Sequence, residues 1–344
     1  MFRSFQRSGD PVSVAQRVFS LPTLVSLAVA AAFLVFLVLR FDVDLSATWQ
    51  QVKNSNPWIL ALALLVHYTT FIFRGARWRL LLQNTGGQER PSPGILYCSE
   101  LTLLGWFANS VAWFRLGDAY RAYLYHHEQR ASFSRTVGTI LSERVLDTAL
   151  VAALLLISVP FLIGRETGPS WIVVAIALSL LAILALVLLL IVKFREKLLQ
   201  WLPVWLAERY QRFCEGVLGS FRQMPLVTLL GLMGWLAEVG RLYLVTLALG
   251  IDLSFALIVF ITLANSLLTL VPTPGGIGAV ESGVVGLLVR LSALATSGAA
   301  ALVLVDRSIS YVSIIVSGAA VFLTRQAFRR RTLVSKSPTI VEPQ

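Results

Sequence analysis

The sequence predicts an all-α polytopic membrane protein with about six full transmembrane helices and two re-entrant helical hairpins in an inverted repeat. Hydrophobic residues make up 56% of the 344 positions and charged residues only 14%, a composition that excludes an ordinary soluble protein. Several apolar runs are long enough to cross a hydrocarbon core about 30 Å thick. Basic residues are concentrated in a few of the connections, which indicates the side of the membrane on which each connection lies.

Six apolar runs are predicted to be full crossings. Because backbone groups in lipid must be paired within their own segment, each run is expected to be helical. The runs lie near residues 20–39, 57–73, 135–162, 170–192, 226–250 and 296–324. No small-residue cleavage site followed by a soluble domain accompanies the first run, so we expect a retained anchor and not a removed signal peptide.

The net charge of +11 could indicate a nucleic-acid partner, but its distribution argues against one. Most of the basic residues fall in five segments, which are 1–19, 74–90, 115–135, 193–224 and 325–344. By the positive-inside rule these segments and both termini are expected to be cytoplasmic. We therefore expect a multi-pass protein of a bacterial inner membrane that binds membrane lipids and no nucleic acid, because it lacks a basic, aromatic-bearing folded module.

The two hairpins follow from the sidedness of their flanks. The apolar stretch at 94–114 lies between two basic segments, so it must enter and leave on the same side. The stretch 253–292 contains VPTPGGIGAVESG, in which Pro272 and Pro274 end one helix and suit the start of another. This second hairpin is expected to dip from the opposite face. The alternative is eight or more crossings with a weaker charge bias.

The two hairpins share a pattern of residues. The first has Asn109, then Gly117 and Asp118, then Arg144 in the following helix; the second has Asn265, then Gly278 and Glu281, then Arg307. Asp118 is as far from Arg144 along the chain as Glu281 is from Arg307. The crossings before the hairpins, 57–73 and 226–250, run in opposite directions. We therefore predict two inverted units, about 57–162 and 226–324, with a site where the broken helices meet.

The Pro-Gly break is expected to contact an anion. Gly275, Gly276 and Gly278 permit positive φ and leave their N–H groups uncovered, which next to a helix N-terminus suits a phosphate. Glu281 is expected in the first turns of the second half-helix, where the helix dipole favours a carboxylate.

Charged residues lie inside the predicted crossings and the second hairpin. They are Glu143, Arg144, Asp147, Glu238, Arg241, Glu281, Asp306 and Arg307. An isolated charge at that depth costs about 2.5–3.5 kcal/mol, so these residues must pair and face a polar interior. The i,i+3 spacing places Arg144 with Asp147, and Glu238 with Arg241, on one helix face. Structural ion pairs that fix helix packing and contacts to a lipid headgroup both remain open.

Two segments outside the crossings also carry a prediction. Residues 195–221 have apolar side chains near helical spacing and are predicted to form an interfacial amphipathic helix on the cytoplasmic face, interrupted at Pro203. The tail 326–344 is predicted to be disordered. No nucleophile motif and no metal-ligand cluster are visible, so we expect no metal, no cofactor and no catalytic residue.

Four stretches carry a family resemblance. FRGARWRLLLQNTGG, FANSVAWFRLGDAYRAY, SFSRTVGTILSERVLD and VPTPGGIGAVESG together resemble the lysylphosphatidylglycerol synthase transmembrane-region family over roughly residues 15–330. The strongest motif is Pro274-Gly275-Gly276-x-Gly278-x-x-Glu281. Trp113-Phe114 replace the Pro-Gly step that the family usually has in the first hairpin, so that hairpin is expected to be less sharply broken.

The resemblance implies a flippase-like domain at 20–325, and the family match adds Arg115, Asp118 and Arg121 to the candidate site. The full set of candidate substrate-binding residues is Asn109, Arg115, Asp118, Arg121, Glu143, Arg144, Asp147, Glu238, Arg241, Asn265, Pro274, Gly275, Gly276, Gly278, Glu281, Asp306 and Arg307.

The expected function is movement of a lipid with an anionic or zwitterionic headgroup between leaflets. Candidate cargoes are an aminoacyl phospholipid, another glycerophospholipid and a polyprenyl-phosphate-linked sugar. Two alternatives stay open: a membrane-embedded lipid headgroup transferase, and a non-transporting accessory subunit of an envelope-lipid synthesis complex. A homodimer or an envelope-synthesis partner is compatible with the sequence.

Overall fold

The computed structural model describes residues 44–86, 93–112, 116–162, 170–271, 273–292 and 294–334. Every regular element in these ranges is a helix, which confirms the predicted all-α class. The N-terminal segment, the predicted crossing 20–39 and the last ten positions of the chain lie outside the described residues.

The first unit consists of four helices behind a short leading helix. The helices are α1 (Leu45–Lys53), α2 (Pro57–Asn84), α3 (Ile95–Val111), α4 (Gly117–Gln129) and α5 (Phe133–Leu162). Asn56 begins α2 because its Oδ1 accepts from the N–H groups of Trp58 and Ile59, at 3.0 and 3.4 Å. Helix α3 ends at Val111, although the sequence has no Pro-Gly step at this position.

Two helices connect the units. They are α6 (Ser170–Trp201) and α7 (Val204–Gly219), and they meet at Pro203, which precedes the first residue of α7. The predicted interruption at Pro203 is therefore confirmed. Residues 195–201 belong to the end of α6, so the separate amphipathic helix is shorter than predicted.

The second unit repeats the order of the first. Its elements are α8 (Met224–Ala248), α9 (Phe255–Leu268), a tight turn (Pro274–Gly276), α10 (Ala279–Leu291), α11 (Thr296–Arg307), a π-helical turn (Ser308–Val312) and α12 (Ser313–Val334). Through the π turn, α11 and α12 form one long helix that corresponds to α5. Since α12 continues to Val334, residues 326–334 are helical and the predicted disordered tail begins too early. Arg325 stabilises this end by donating to Glu100 and Glu128, at 2.5 and 3.0 Å.

Four helices within the described residues are long and apolar enough to cross a membrane. They are Pro57–Asn84, Val174–Trp201, Met224–Ala248 and Thr296–Ala327. The helices α3, α4, α9 and α10 have 17, 13, 14 and 13 residues. At ~1.5 Å per residue they are about 20–26 Å long, which is shorter than a hydrocarbon core of about 30 Å. The chain is thus a polytopic membrane protein; the exact number of crossings stays a prediction.

The two units meet along antiparallel first helices. The N–H of Asn56, just before α2, donates to the carbonyl of Ala248 at the end of α8, at 2.9 Å. Further along, Gly234 faces Arg74 and Gly231 faces Arg77, so positions advance along α2 as they recede along α8. In addition, α3 packs against α12 and α9 packs against α5. The first short helix of each unit therefore contacts the last helix of the other unit.

Apolar cores stabilise both units. The larger core joins α8, α9, α10 and α11 with the middle of α5 and includes Ile258, Leu263 and Val285, all at most 1% exposed. A second core in the first unit is centred on Trp78 and Leu101. Because lipid tails are as apolar as these side chains, close van der Waals packing and hydrogen bonds between helices stabilise such cores within a membrane.

The amphipathic helix α7 lies against α5 through two glycines. A Cβ atom at Gly138 would lie 2.3 Å from the carbonyl oxygen of Phe213, and one at Gly216 would lie 2.2 Å from that of Arg135. Only glycine permits this backbone approach. Arg135 also donates to Glu215 at 2.5 Å, and this hydrogen bond holds the pKa of the Glu215 carboxyl below its ordinary value.

Candidate functional site

A cavity of about 230 Å³ lies between the two units. Residues of α2, α3, α5, α8, α9, the Gly-rich turn and the long α11–α12 helix line it, and Leu180 of α6 closes one part. The charged lining residues are Arg74, Arg144, Asp147, Glu238, Arg241 and Arg307. Four guanidinium groups and two carboxylates therefore face a space in the interior of the protein.

The broken helix is held by one arginine. Arg307 donates from Nε to Oε1 of Glu281 at 2.7 Å and from Nη2 to the carbonyl oxygen of Gly275 at 2.9 Å. The other carboxylate oxygen of Glu281 accepts from the N–H of Gly278 at 2.5 Å. Glu281 is the third residue of α10, which confirms its predicted place in the first turn. The arginine thus fixes both the turn and the start of the second half-helix.

The glycine N–H groups are less accessible than the sequence suggested. The N–H of Gly276 donates to the carbonyl of Thr273 at 3.1 Å, and that of Gly278 is taken by Glu281. The first bond is a backbone bond within the turn, and the second forms because a carboxylate three residues into the helix can reach back to the preceding backbone. Of the three glycines, Gly275 lines the cavity.

Tyr311 connects the two hairpins. A Cβ atom on Gly275 would lie 2.1 Å from Cε2 of Tyr311, and Gly275 has φ +58°, so glycine is required there twice over. The guanidinium carbon of Arg307 lies 4.5 Å from the centroid of the same ring. The Tyr311 hydroxyl donates to the carbonyl of Ser110, near the end of α3, at 2.9 Å. One side chain therefore contacts the tips of both hairpins.

The first unit has an equivalent ion pair. Arg144 donates to both carboxylate oxygens of Asp118, from Nε at 2.9 Å and from Nη2 at 2.8 Å, across 26 residues. Arg307 and Glu281 are also 26 residues apart. The first pair is more exposed, with side chains 30% and 27% accessible against 11% and 13% for the second. The structure thus holds equivalent pairs in unequal surroundings.

A buried ion network supports the cavity from the side of the first unit. Arg77 donates to Asp147, at 2.7 and 3.1 Å, and to Glu143 at 3.2 Å. Arg121 donates to the other oxygen of Glu143 at 2.6 Å, and Arg74 donates to Asp147 at 3.1 Å. The side chains of Arg77, Arg121 and Glu143 are each 1% exposed. Buried charges of this kind persist because each has a partner.

Arg74 and Arg77 were not predicted as site residues. Their position after an apolar run placed them in the cytoplasmic basic segment 74–90, but both are buried within α2. The sequence held one signal: α5 carries two acids, Glu143 and Asp147, beside Arg144 alone, so a further cation was required. The partners lie 66 and 73 residues away, beyond the reach of local pattern.

The second unit has its own buried pairs. Arg241 donates from Nε to Asp306 at 2.9 Å and from Nη1 to Glu238, which confirms the predicted i,i+3 pair. His67 lies beside them, with its Nδ1 3.3 Å from Nη1 of Arg241. The other predicted i,i+3 pair is longer, with 3.8 Å between Nη1 of Arg144 and Oδ2 of Asp147. The reason is that the Asp147 carboxylate accepts hydrogen bonds from arginines of α2.

Several buried polar atoms on cavity-lining residues have no hydrogen-bond partner. They are Nε of Arg74, Nε1 of Trp235, Oε1 of Glu238, Oδ1 of Asn265 and Oγ of Ser310. The guanidinium of Arg74 lies between Trp106 and Trp235, 5.2 and 5.3 Å from their ring centroids. Unpaired buried polar atoms are rare in native proteins, so their concentration here is typical of a site that receives a polar ligand or water.

The structure divides the predicted site residues into two groups. Those that line the cavity are Asn109, Arg144, Asp147, Glu238, Arg241, Asn265, Gly275 and Arg307. Those without a place in this lining are Asp118, Arg121, Glu143, Gly276, Gly278, Glu281 and Asp306, several of which hold lining residues in position. Arg115 lies outside the described residues, and nothing is described of the Pro274 side chain. Among the described residues there is no cluster of three or more His, Cys, Asp or Glu that could hold a metal.

The fold and the site define a polytopic membrane protein with a charged cavity between two helical units. The chain matches the family described as Lysylphosphatidylglycerol synthase TM region over residues 23–318, and it belongs to that family.

Its relatives include archaeal membrane proteins. A UPF0104 membrane protein of Methanocaldococcus jannaschii is 34% identical over 221 residues, 63% of this chain and 93% of the relative. A UPF0104 membrane protein of Methanothermobacter thermautotrophicus is 28% identical over 315 residues, 84% and 90% of the two chains. Glycosyltransferase AglD of Haloferax volcanii is 22% identical over 325 residues, which are 82% of this chain and 51% of AglD.

Proposed function

We propose that this protein moves a polar-headed phospholipid, or a related lipid phosphate, between the leaflets of a cytoplasmic membrane. The observation that carries the proposal is the cavity, in which four arginines and two carboxylates face a space between two antiparallel units. Charges are costly inside a membrane, and they mark substrate pathways there. A headgroup would enter the cavity while its acyl or prenyl tails stay in lipid.

The two short-helix pairs support this proposal. Each of the four helices is shorter than a hydrocarbon core of about 30 Å, so each pair is proposed to enter and leave on one side, one from each face. The tips of these hairpins would meet near the midplane, where broken helices form the sites of many transporters. In this arrangement there are six crossings and both termini are cytoplasmic.

The ion pairs at Asp118 and Glu281 provide a means of alternating access. Arg144 and Arg307 each hold one hairpin against the last helix of its own unit. Exchange of these partners with a headgroup phosphate would release one hairpin at a time, without catalytic chemistry or a cofactor. The unequal exposure of the two pairs fits a state in which the first side is more open.

The proposal is tested by reconstitution in liposomes. A phospholipid that carries a fluorescent label on its acyl chain is distributed over both leaflets. A membrane-impermeant quencher then reports the fraction of the label that reaches the outer leaflet. With wild-type protein, more than half of the label is expected to be quenched. With Glu281→Gln or Arg307→Ala, the quenched fraction is expected to decrease towards that of empty liposomes. No excess over empty liposomes across aminoacyl, zwitterionic and polyprenyl lipids would refute translocation.

A headgroup transferase is the second candidate, and one observation favours it. The name of the related AglD is that of a glycosyltransferase, although the aligned region is only about half of that protein. A transferase would consume a donor and change the headgroup of a lipid acceptor. Purified protein with lipid and a sugar donor would then yield a new headgroup by mass spectrometry, and unchanged lipid would exclude this candidate.

A further inference from the structure

We infer that His67 is a proton-binding site between the two units, and that its proton accompanies an anionic lipid headgroup through the protein. The inference rests on the proposed translocation and names its driving force, a proton gradient. It follows from the geometry of a charge cluster at the contact between α2 and α8.

His67 is a buried histidine at this contact. The chain has three histidines, all within the described residues; His126 and His127 are exposed, whereas His67 is 0% exposed. It belongs to α2 of the first unit, and its Nδ1 faces Glu238 and Arg241 of α8 in the second unit. Both of these partners line the cavity. The imidazole therefore lies between the units and one side chain away from the cavity.

The neutral imidazole has a defined tautomer. Its Nδ1 lies 3.3 Å from Nη1 of Arg241, and a guanidinium only donates, so Nδ1 accepts and the proton of the neutral ring is on Nε2. The same Nδ1 lies 3.6 Å from Oε1 of Glu238, which has no hydrogen-bond partner among the described residues. Two acceptors thus face each other, and a proton on Nδ1 would join them.

The charges of the hydrogen-bonded cluster around His67 do not cancel while the ring is neutral. Arg241 donates to both carboxylate oxygens of Asp306, at 2.9 and 3.3 Å, and to Oε2 of Glu238. A single cation thus faces two carboxylates. The other ionisable groups nearby have partners of their own: Arg74 donates to Asp147, Arg307 to Glu281, and the Tyr68 hydroxyl to Ser317. Buried charge without compensation is costly, and a proton on His67 would supply the missing positive charge.

A proton that binds Nδ1 changes the partner of His67. The charged ring has a donor at both nitrogens, so Nδ1–H donates to Oε1 of Glu238 and no longer accepts from Arg241. The proton comes from water by way of the Glu238 carboxylate, which lines the cavity, and it leaves by the same route. Each exchange changes the charge of the ring by one proton and breaks no other bond.

The proton and an anionic headgroup stabilise each other. A phosphate in the cavity lies on the side of Glu238, where the excess negative charge of the cluster repels it. Protonation of His67 removes this excess, so each of the two ligands binds better in the presence of the other. Buried acids and histidines form the proton relays of many pumps and transporters.

The cluster also connects His67 to the break in the second unit. Arg241 holds Asp306, and the next residue, Arg307, holds Glu281 and the Gly-rich turn. A change of partner at His67 therefore acts on the helix that carries the hairpin's arginine. This contact couples proton binding to the proposed release of the second hairpin.

The functional test uses full-length protein in proteoliposomes with phosphatidylglycerol that carries a fluorescent acyl label. Wild-type protein is expected to move the label at least about fivefold faster at about pH 5 than at about pH 8, which is the lower end of ordinary coupling between two sites. An acidic interior is expected to raise the fraction of label in the outer leaflet above its value without a gradient. In His67→Gln, which keeps a neutral polar side chain, we expect the same rate at both pH values and no effect of the gradient. The exposed His127→Gln is the matched control and is expected to respond as wild type does.

Proton binding itself is measured without lipid movement, by nitrogen NMR of protein labelled in its histidine rings. The His67 ring is identified as the one that remains in the double variant His126→Gln, His127→Gln, so the assignment does not require a His67 variant to fold. We expect this ring to take up a proton between about pH 8 and about pH 5. A ring that stays neutral over this range would overturn the inference.

The outcomes separate the proton site from the transport. Equal wild-type rates at both pH values, or a folded His67→Gln protein that keeps the pH response, would overturn the inference and leave translocation intact. Wild-type movement no faster than in empty liposomes at either pH would overturn the proposed function itself, and the coupling with it.

Discussion

Arg307 and Glu281 lie 26 residues apart and form a hydrogen-bonded ion pair of 2.7 Å across the break in the second unit. Arg144 and Asp118 form the same pair at the same spacing in the first unit. Equal spacing and equal chemistry in two units of matching helix order indicate one structural device used twice. Each broken helix is therefore held by a neighbouring arginine.

Substitution of Arg307 by lysine should weaken the second hairpin while the charge is retained. The guanidinium bonds Glu281 and the Gly275 carbonyl together, and an ammonium cannot reproduce this planar fork. We expect a loss of about 1–3 kcal/mol, measured by thermal or denaturant unfolding in detergent. Arg290→Lys, at an exposed position of α10, is the matched control. Equal effects of the two substitutions would contradict the assigned role of Arg307.

Gly275→Ala should be strongly destabilising. A positive φ costs a non-glycine residue about 1–2 kcal/mol, and the added Cβ would collide with the Tyr311 ring, for which overpacking adds about 1–3 kcal/mol. Gly250→Ala provides the control, because Gly250 has φ +65° with nothing within 4 Å of the added atom. Gly250→Ala should lose only the stability that a positive φ costs a non-glycine residue. If both variants unfold at the same temperature, the Tyr311 contact does not constrain the turn.

Glu143→Gln should disrupt the buried network under the cavity. Its carboxylate accepts from Arg77 and Arg121, and neutralising it leaves buried cations without full compensation, at a cost of about 3–5 kcal/mol. Glu100→Gln is a suitable control because the Glu100 side chain is 35% exposed in its pair with Arg325, where ion pairs contribute little. Wild-type stability of Glu143→Gln would show that the network is dispensable for folding.

The stability of the α5–α7 contact should decrease in acid. Because the folded-state pKa of Glu215 is below its ordinary value of 4.5, the stabilisation is complete above that value and is lost as the pH falls through the lowered pKa. The effect is small, since the side chains of Arg135 and Glu215 are 23% and 33% exposed. Unfolding temperatures of wild type and Glu215→Gln should differ at neutral pH and converge in acid. A constant difference over this range would contradict the assignment.

The hairpin break was predictable because its signals are local. Prolines and glycines at 272–278 exclude a continuous helix, and Glu281 three residues later belongs to a helix start. The equal spacings from Asp118 and Glu281 to their arginines are also readable along the chain. Charge bias along the chain also predicts two re-entrant hairpins, because it does not depend on tertiary contacts; their entry from opposite faces of the membrane stays a prediction.

The cavity was only partly predictable because the residues that form ion pairs in and around it are distant from one another in the sequence. Arg74 and Arg77 follow an apolar run, where a basic residue usually marks the membrane edge, and only their acids on α5 reveal that they are buried. Tyr311 acquires its role from the π turn at Ser308–Val312, a local distortion often found at functional sites. Neither feature has a periodic signature.

The central claim is that a headgroup passes through the cavity between the units, and blocking that space tests it most directly. Thr148 and Ser266 line the cavity from opposite units, and tryptophan at either position would fill it. Leu186→Trp is the control, because Leu186 lies on α6 and is 55% exposed.

For variants that keep wild-type unfolding temperatures, the measurement is the fraction of labelled lipid reached by an outer quencher. The proposed route predicts that the quenched fraction for Thr148→Trp and Ser266→Trp decreases to that of empty liposomes, while the quenched fraction for Leu186→Trp equals that of wild type. Wild-type quenching in both filled variants would contradict passage through this cavity.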